Sequence, residues 1–524
     1  MQTASIPTFN HLSSVWKTVK SIEPDKAELL LADSILGKIA ERQSFEHREI
    51  LVSALHRQYG SEIGKTISSQ LDLLKKNNAF TVTTGHQIGL LGGPAFFFYK
   101  IITTIRLAEE LRRKSPDHIF VPVLWMATED HDKAEISSVH VFGKELVWET
   151  NQEGAVGRFS TDDLQQYIES VEALKGSLPH GDSIMEIFKK AYAPGKTLAN
   201  ATREWVHSFF SDFGLVIIDG DDPELKRLFR QVMETEILHS PTEKIVIDRN
   251  AELEKGGLNA QVHPREINLF YLSANNRKRI VKTADGFAEH EGTMHWTQES
   301  IMAEIGAHPE RFSPNVLLRP LYQEIILPNL AYVGGPGELS YWMQLEGVFS
   351  HFAVSEPICF PRNSIMLIDQ GQQQRIGKLS LQVQDLFRSA DELVNEFLKE
   401  NAGAEMDLEA EKKKIEEQFS LIAEKTSGID ATLKSMVMAE LQKTLKSIEQ
   451  IEGRIRKSEK AKHETSLNQI RTLKEKLFPG GNPQERVESL LPHLWKHGNG
   501  LLKDIHAQTN PFDLRYHVLF PDSP

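Results

Sequence analysis

A single cysteine, Cys359, stands in a chain of 524 residues. One thiol excludes an intrachain disulfide and any zinc site assembled from several thiolates, and it suits a reducing compartment. Long apolar runs are missing too. No stretch reaches the roughly 18 to 20 residues needed to span a bilayer, and Met1–Asn10 lacks the basic-then-apolar pattern of an export signal. The expectation is a cytoplasmic protein with no membrane partner. Grouped basic residues are also scarce: the formal net charge is −13, and the stretch from Arg454 to Lys462 includes Glu459. Neutralising phosphates needs clustered Lys and Arg, so nucleic acid is not an expected partner.

What is present has ordinary globular composition, with 40% hydrophobic and 25% charged residues. The length exceeds what one hydrophobic core sustains, which predicts a large α/β body plus an accessory element. Residues 24–76 show apolar positions at three- and four-residue spacing, among them Leu29, Leu30, Ile35, Leu36 and Ile39, and read as a helical lead-in. Ala79–Thr84 is β-branched and bounded by glycine, a buried strand. Pro94 then opens a helix towards Leu111, and Ile119–Met126 forms a second strand. This βαβ unit predicts a parallel sheet. Val139–Glu149 with Phe159 reads as a β insertion and Leu164–Phe210 as mostly helical. Leu215–Gly220 reads as a strand, followed by a helix opened by Pro223. Leu330–Val333 leads into a second glycine loop and a helix over 339–352, and Ile358–Phe360 follows, ending at Pro361-Arg362-Asn363-Ser364.

Residues 377–478 differ in character. They are rich in Glu, Lys, Leu, Gln and Ala and free of proline, and Leu441, Leu445, Ile448 and Ile455 follow a coiled-coil seam. Two long helices are predicted, folding back at Thr426-Ser427-Gly428 into an antiparallel hairpin with arms of about 48 residues, roughly 70 Å. Its apolar seam predicts a homodimer. The expected domains are 1–376 for the α/β core, 377–478 for the coiled coil, and 479–524 for a segment returning to the core.

Two glycine loops sit at predicted strand ends, where open α/β sheets bind ligands. Gly85-His86-Gln87, running on to Gly92-Gly93-Pro94, offers backbone donors to an anion and an imidazole that can donate or shuttle a proton. A turn with His86 capping a helix explains it equally well. The loop lacks a Walker lysine-serine pair and the dinucleotide spacing. Glu129-Asp130-His131-Asp132 gathers three carboxylates and an imidazole, suited to Mg²⁺, to an amine, or to general-base work; acids at a helix N-terminus are the plainer alternative. Gly335, Gly337 and Glu338 in the second loop, with Tyr341 and Trp342 beyond, suit an ammonium group or a base, although Trp342 fits a core position better. Arg362-Asn363-Ser364 can clamp a carboxylate, and Arg319, Lys100 and Arg265 are weaker candidates of that kind. His263 is a further shortlisted histidine. Cys359 reads as a buried structural thiol.

Thr84–Gln87, Pro94–Lys100, Glu129–Asp132, Gly334–Trp342 and the helical arm ending at Leu477-Phe478-Pro479 with Gln484-Glu485-Arg486 occur in an order that resembles the bacillithiol-biosynthesis cysteine-adding enzymes, a cysteine ligase family. The similarity spans nearly the whole chain. It implies a Rossmann-like core related in design to adenylate-forming class I synthetases, a dimerising coiled coil, and a final pathway step joining L-cysteine to glucosaminyl-malate. Gly85-His86-Gln87 then corresponds to a signature that cradles ATP phosphates. The family's nucleotide contact near the junction of core and coiled coil makes Gln484, Glu485 and Arg486 candidates for ATP or ADP.

Amide formation needs an activated carboxylate, most simply through ATP with Mg²⁺, as an adenylate or an acyl phosphate. The glucosamine amine attacks, Glu338 or Asp130 accepts its proton with His86 and His131 beside them, and Arg362 or Arg319 holds the malate carboxylates. With one cysteine no zinc is expected, so selection of cysteine rests on pocket size and a weak thiol contact. The alternatives are a non-catalytic nucleotide-binding dimeric scaffold and a ligase for another amino acid or amino sugar.

Overall fold

The computed structural model describes residues 2–4, 24–401 and 408–521. Of the Met1–Asn10 stretch read above, only the strand Gln2–Ala4 is described, paired antiparallel with Tyr516–Leu519; the remainder lies outside the described residues. The chain divides into a core unit, Met1–Ile368 with Asn482–Pro524, and a helical unit, Asp369–Gly481.

The core unit is organised by five parallel strands: β1 Ala79–His86, β2 Ile119–Met126, β3 Val216–Asp219, β4 Asn329–Gly334 and β5 Ile358–Pro361. Their spatial order is β5-β4-β1-β2-β3. This is the Rossmann-like order, in which the chain moves outward on one side of β1, then crosses to β4 on the other. The junction of β1 and β4 is therefore the topological switch point, where the crevice of such sheets opens. Register makes the carboxyl ends level: His86 lies opposite Met126, Met126 opposite Asp219, and Gly334 opposite Pro361. Every loop leaving the sheet at these residues shares one rim.

Buried β-branched and aromatic residues explain the strands, since neither face of this sheet meets water; β1 and β4 are buried along almost their whole length. Helix α1, Phe96–Lys114, crosses from β1 to β2. Phe97, Phe98, Ile101, Ile102 and Ile105 are buried in the core, each contributing on the order of 1.5–3 kcal/mol of burial. Arg112, Arg113 and Lys114 complement the dipole at its end. An aspartate at Ile102 would break this packing.

Three segments depart from expectation. A five-stranded antiparallel sheet, with Leu269–Ser273, Asn276–Thr283 and Phe312–Pro314 among its strands, was not legible in the sequence. Asn276–Thr283 buries only Ile280 fully, so it carries no apolar alternation. The expected β insertion is the hairpin Ser138–Val141 and Lys144–Val147 alone; Phe159, expected to belong to it, instead follows a 3₁₀ turn and is buried. The helix expected over 339–352 is two, Pro336–Trp342 and Glu346–His351. They are separated where Gln344 turns inward to bond Asn250 and the backbone at Gln261 and Val262.

The C-terminal residues of the core unit form the helices Gln484–Val487, Leu491–His497 and Gly500–Gln508. The strand Tyr516–Leu519 then pairs parallel with Ser364–Leu367.

Within the helical unit, Glu409–Ser427 and Ala431–Lys462 form the expected antiparallel hairpin, turning at Gly428–Asp430. Asp430 caps the second helix by accepting from Thr432 N. Val437, Leu441 and Ile448 are its buried seam residues. The arms are segmented rather than continuous. Ala390–Asn401 precedes the first arm, 402–407 lie outside the described residues, and His463 leaves helical geometry before Glu464–Leu477. Leu393, Val394 and Leu398 pack with Leu467 and Ile470.

Candidate active site

The carboxyl rim of the sheet encloses a cavity of about 630 Å³ at the switch point. Gly85, His86 and Gln87 enter it from the end of β1, Ala127–Asp130 from β2, and Gly335–Glu338 from β4. The antiparallel sheet closes it with Phe270, Arg277 and Arg279.

Gly85 is small for a definite reason. A Cβ there would lie 3.0 Å from the Tyr332 hydroxyl and 3.7 Å from Arg319 Nη1. Next to it, His86 Nδ1 is 2.8 Å from the Gln87 carbonyl, so Nδ1 carries the proton and donates, leaving Nε2 with its lone pair. Burial, reinforced by the Lys100 charge, pushes this imidazole down to about 4, so it is neutral at physiological pH. Phe96 and Phe97 wall it with ring centroids 5.2 and 4.9 Å away.

Lys100, on α1, projects its ammonium between the two glycine loops. It donates to the Gly85 carbonyl and to both oxygens of Glu338, at 2.9 and 2.8 Å. Tyr332 Oη and Gly335 N also donate to Glu338, at 2.8 and 2.9 Å. Burial works to raise the Glu338 carboxyl, but Lys100 and the Gly335 and Tyr332 donors outweigh it and hold it low. Arg319 donates to the Tyr341 hydroxyl at 3.2 Å and to Gln323 at 3.0 Å.

The Glu129–Asp132 segment separates into different roles. Glu129 pairs with the buried Lys226, which also donates to the Phe312 carbonyl. Asp130 accepts from Gln87 Nε2, from His131 N at 2.7 Å and from Arg277 Nη1 at 3.4 Å. Burial opposes ionisation of Asp130, yet the His131, Arg277 and Gln87 contacts prevail and hold its carboxyl well below the usual range. His131 is half exposed, against Phe270 and Arg277, and does not line the cavity. Asp132 is a helix N-cap, accepting from Glu135 N.

Of the other predicted residues, Arg362, Tyr341 and Arg486 line the cavity. Arg362 is already engaged, in a buried bidentate pair with Glu485 at 3.0 Å on each arm. Glu485 also accepts from Ile365 N, and Gln484 from Leu367 N, so the two brace the strand Ser364–Leu367 along its length. Ser364 is buried at the head of that strand. Asn363 bonds Thr103 and the Asn510 and Asp513 carbonyls. Trp342 is a core residue stacked on Tyr332. Gly92 and Gly93 form a positive-φ turn away from the cavity lining, where a Cβ on Gly92 would strike Phe97.

The cavity also contains groups not singled out from the sequence: Arg277, Arg279, Tyr332 and Glu135. The lining holds seven Lys or Arg side chains against four carboxylates, in a chain of net charge −13. Arg265, Arg279, Arg319 and Arg486 have no ion-pair partner among the described residues. An excess of unpaired guanidinium groups inside a cleft is suited to a polyanionic ligand.

Residues 33–363 match the model described as bacillithiol biosynthesis BshC, N-terminal Rossmann-like domain, and residues 365–521 match the BshC C-terminal coiled-coil domain. The chain belongs to the BshC family. A relative from Cytophaga hutchinsonii named "Putative cysteine ligase BshC" is 39% identical over 449 residues, 86% of this chain and 84% of the relative. A relative of the same name from Flavobacterium psychrophilum is 37% identical over 475 residues, 90% of this chain and 89% of its own. One from Prosthecochloris aestuarii is 29% identical over 512 residues, 92% and 90% of the two chains. Both BshC domains are therefore present, with the Rossmann-like match covering the whole cavity rim except Arg486. No helix among the described residues is long and apolar enough to cross a membrane.

Proposed function

We propose that the cavity joins the carboxylate of L-cysteine to the amine of glucosaminyl-malate, giving bacillithiol, with ATP as the activating nucleotide. The observation that carries this reading is the cationic cleft at the switch point of a BshC-family core. The malate portion of the acceptor is a dicarboxylate and ATP a polyphosphate; both call for the guanidinium groups that have no ion-pair partner. Arg265 and Arg279 are assigned to the carboxylates, Arg319 and the Gly85-His86-Gln87 loop to phosphate oxygens. ATP, when bound, supplies the phosphoryl or adenylyl group that makes the cysteine carboxylate an acylating group.

The chain's own residues orient and shield. Neutral His86 donates or accepts without adding charge, and backbone N–H groups of both loops face developing negative charge. Glu338 and Asp130 are saturated by donors and stay ionised, which makes them weak bases and sources of field for a cationic amine. Mg²⁺ arrives with the phosphates in this reading, because no group of three His, Cys, Asp or Glu is gathered to hold a metal among the described residues. Recognition of cysteine rests on shape, without zinc. The helical unit exposes Leu421, Ile422, Ile429 and Met436, and we assign these apolar groups to a second copy of the chain.

The test is complementation of a bacterium lacking its cysteine-adding step. The wild-type chain restores the cysteinyl thiol, and the His86→Ala/Asp130→Asn double variant, expressed to the same level, does not. Restoration by the double variant would contradict a catalytic cavity and favour a scaffold.

A further inference from the structure

We propose that Glu135 is the general base of this site, taking the proton from the acceptor amine as the new C–N bond forms. The inference rests on the ligase reading above. Four carboxylates line the cavity, and three are occupied: Glu129 by Lys226, Asp130 by Gln87, Arg277 and His131 N, and Glu338 by Lys100, Tyr332 and Gly335 N. Glu135 is the fourth. Its carboxylate has no hydrogen-bond or ion-pair partner among the described residues, while its backbone N–H is fixed by the Asp132 cap.

Position and chemistry agree. Glu135 stands on the single-turn helix Lys133–Ser137, immediately beyond the β2 rim, so its backbone is anchored and its side chain is free to meet a substrate. The charged groups it feels most are Asp130, Asp132 and Glu338, all acidic. Partial withdrawal from water, together with these three negative neighbours, raises its carboxyl above the ordinary value. A carboxylate with raised proton affinity and open lone pairs is the better base, since those already accepting several hydrogen bonds hold their charge too firmly.

The neutral amine's lone pair forms a bond to the carbonyl carbon of a cysteinyl mixed anhydride, an acyl phosphate or acyl adenylate. The carbon–oxygen bond to phosphorus breaks, and phosphate or AMP leaves with that electron pair. The N–H proton passes to the Glu135 carboxylate, which later releases it to water.

The experiment uses the full chain with L-cysteine, glucosaminyl-malate, ATP and Mg²⁺, comparing wild type, Glu135→Gln and Glu135→Asp across pH 5.5 to 9. Expected is a fall in kcat of about a hundredfold or more for Glu135→Gln with KM for the amine little changed, and partial recovery in Glu135→Asp. The wild-type rate should fall on the acid side as Glu135 is protonated, and that limb should vanish from the residual rate of Glu135→Gln. An unaltered kcat and acid limb in Glu135→Gln would overturn the assignment while leaving the ligase reading intact. A raised KM with kcat unchanged would also overturn it, making Glu135 an amine-binding group. No amide from wild type would overturn the ligase reading, and the role of Glu135 with it.

Discussion

Lys100 and Glu338 meet across the topological switch point, with the ammonium 2.8 and 2.9 Å from the two carboxylate oxygens. Because the same ammonium holds the Gly85 carbonyl, one buried side chain from α1 fixes the ends of β1 and β4 together. The cleft between these strands is where the cavity lies. Its width is thus set by an ion pair inside the protein before any ligand arrives.

Removing one member of that pair should cost more than removing both. Glu338→Ala leaves the Lys100 ammonium, 2% exposed, without its carboxylate. A loss of about 3 kcal/mol is expected from the uncompensated buried charge, and the Lys100→Met/Glu338→Gln double variant should recover much of it. Urea denaturation of the wild type and the two variants checks this. Activity should fall in both variants, because the loops are no longer tied.

Gly85→Ala should impair both packing and catalysis. The added methyl would stand 3.0 Å from the Tyr332 hydroxyl, which is committed to Glu338, so the loop or the tyrosine must shift. A stability loss of about 1–3 kcal/mol is expected, with a larger proportional fall in amide formation. Thermal unfolding and product assays at one pH measure the two effects.

His86 should give stability a distinct pH dependence. Its folded value, about 4, lies below the 6.5 of the free imidazole. Between those values the unfolded chain takes up a proton that the folded chain refuses, so stability falls as pH drops from 6.5 towards 4 and is fully present above 6.5. Replacing His86 with Gln should remove this slope. Denaturation at half-unit pH steps compares the two, and parallel curves would contradict a half-buried imidazole held neutral.

The helical unit should associate through its exposed apolar positions. Leu421 and Ile422 are 51% and 47% exposed. Replacing both with Glu should leave the hairpin helical by circular dichroism while shifting the sedimentation coefficient from a dimer's to a monomer's. A wild-type monomer at micromolar concentration would contradict the assignment of these residues to a second copy.

The Rossmann-like half of the fold was legible because Ala79–Thr84 is a short β-branched run bounded by glycine, Ile119–Met126 an apolar run ending in polar residues, and Pro94 stands just before α1. The glycine loops followed from those strand ends. What stayed hidden was the opposite wall. Arg277 and Arg279 lie on a strand whose residues are charged and half exposed, and only tertiary packing turns that face towards the cavity. Arg362 and Glu485 show the reverse case: each read as a ligand contact, but they lie 123 positions apart in sequence and bond to one another. Sequence spacing carries no signal for such a pair. Glu135 escaped notice because a lone glutamate beside three other acidic residues differs from them only in lacking partners, which is a property of the folded state.

The most direct test is mass spectrometry of a reaction containing the purified chain, glucosaminyl-malate, ATP, Mg²⁺ and L-cysteine carrying heavy oxygen in its carboxylate. Attack of that carboxylate on ATP, followed by amide formation, predicts a cysteinyl amide together with one heavy oxygen in AMP or in inorganic phosphate; AMP identifies an adenylate and phosphate an acyl phosphate. A cysteinyl amide with no label in either product would contradict carboxylate activation, and absence of the amide would contradict the ligase reading itself.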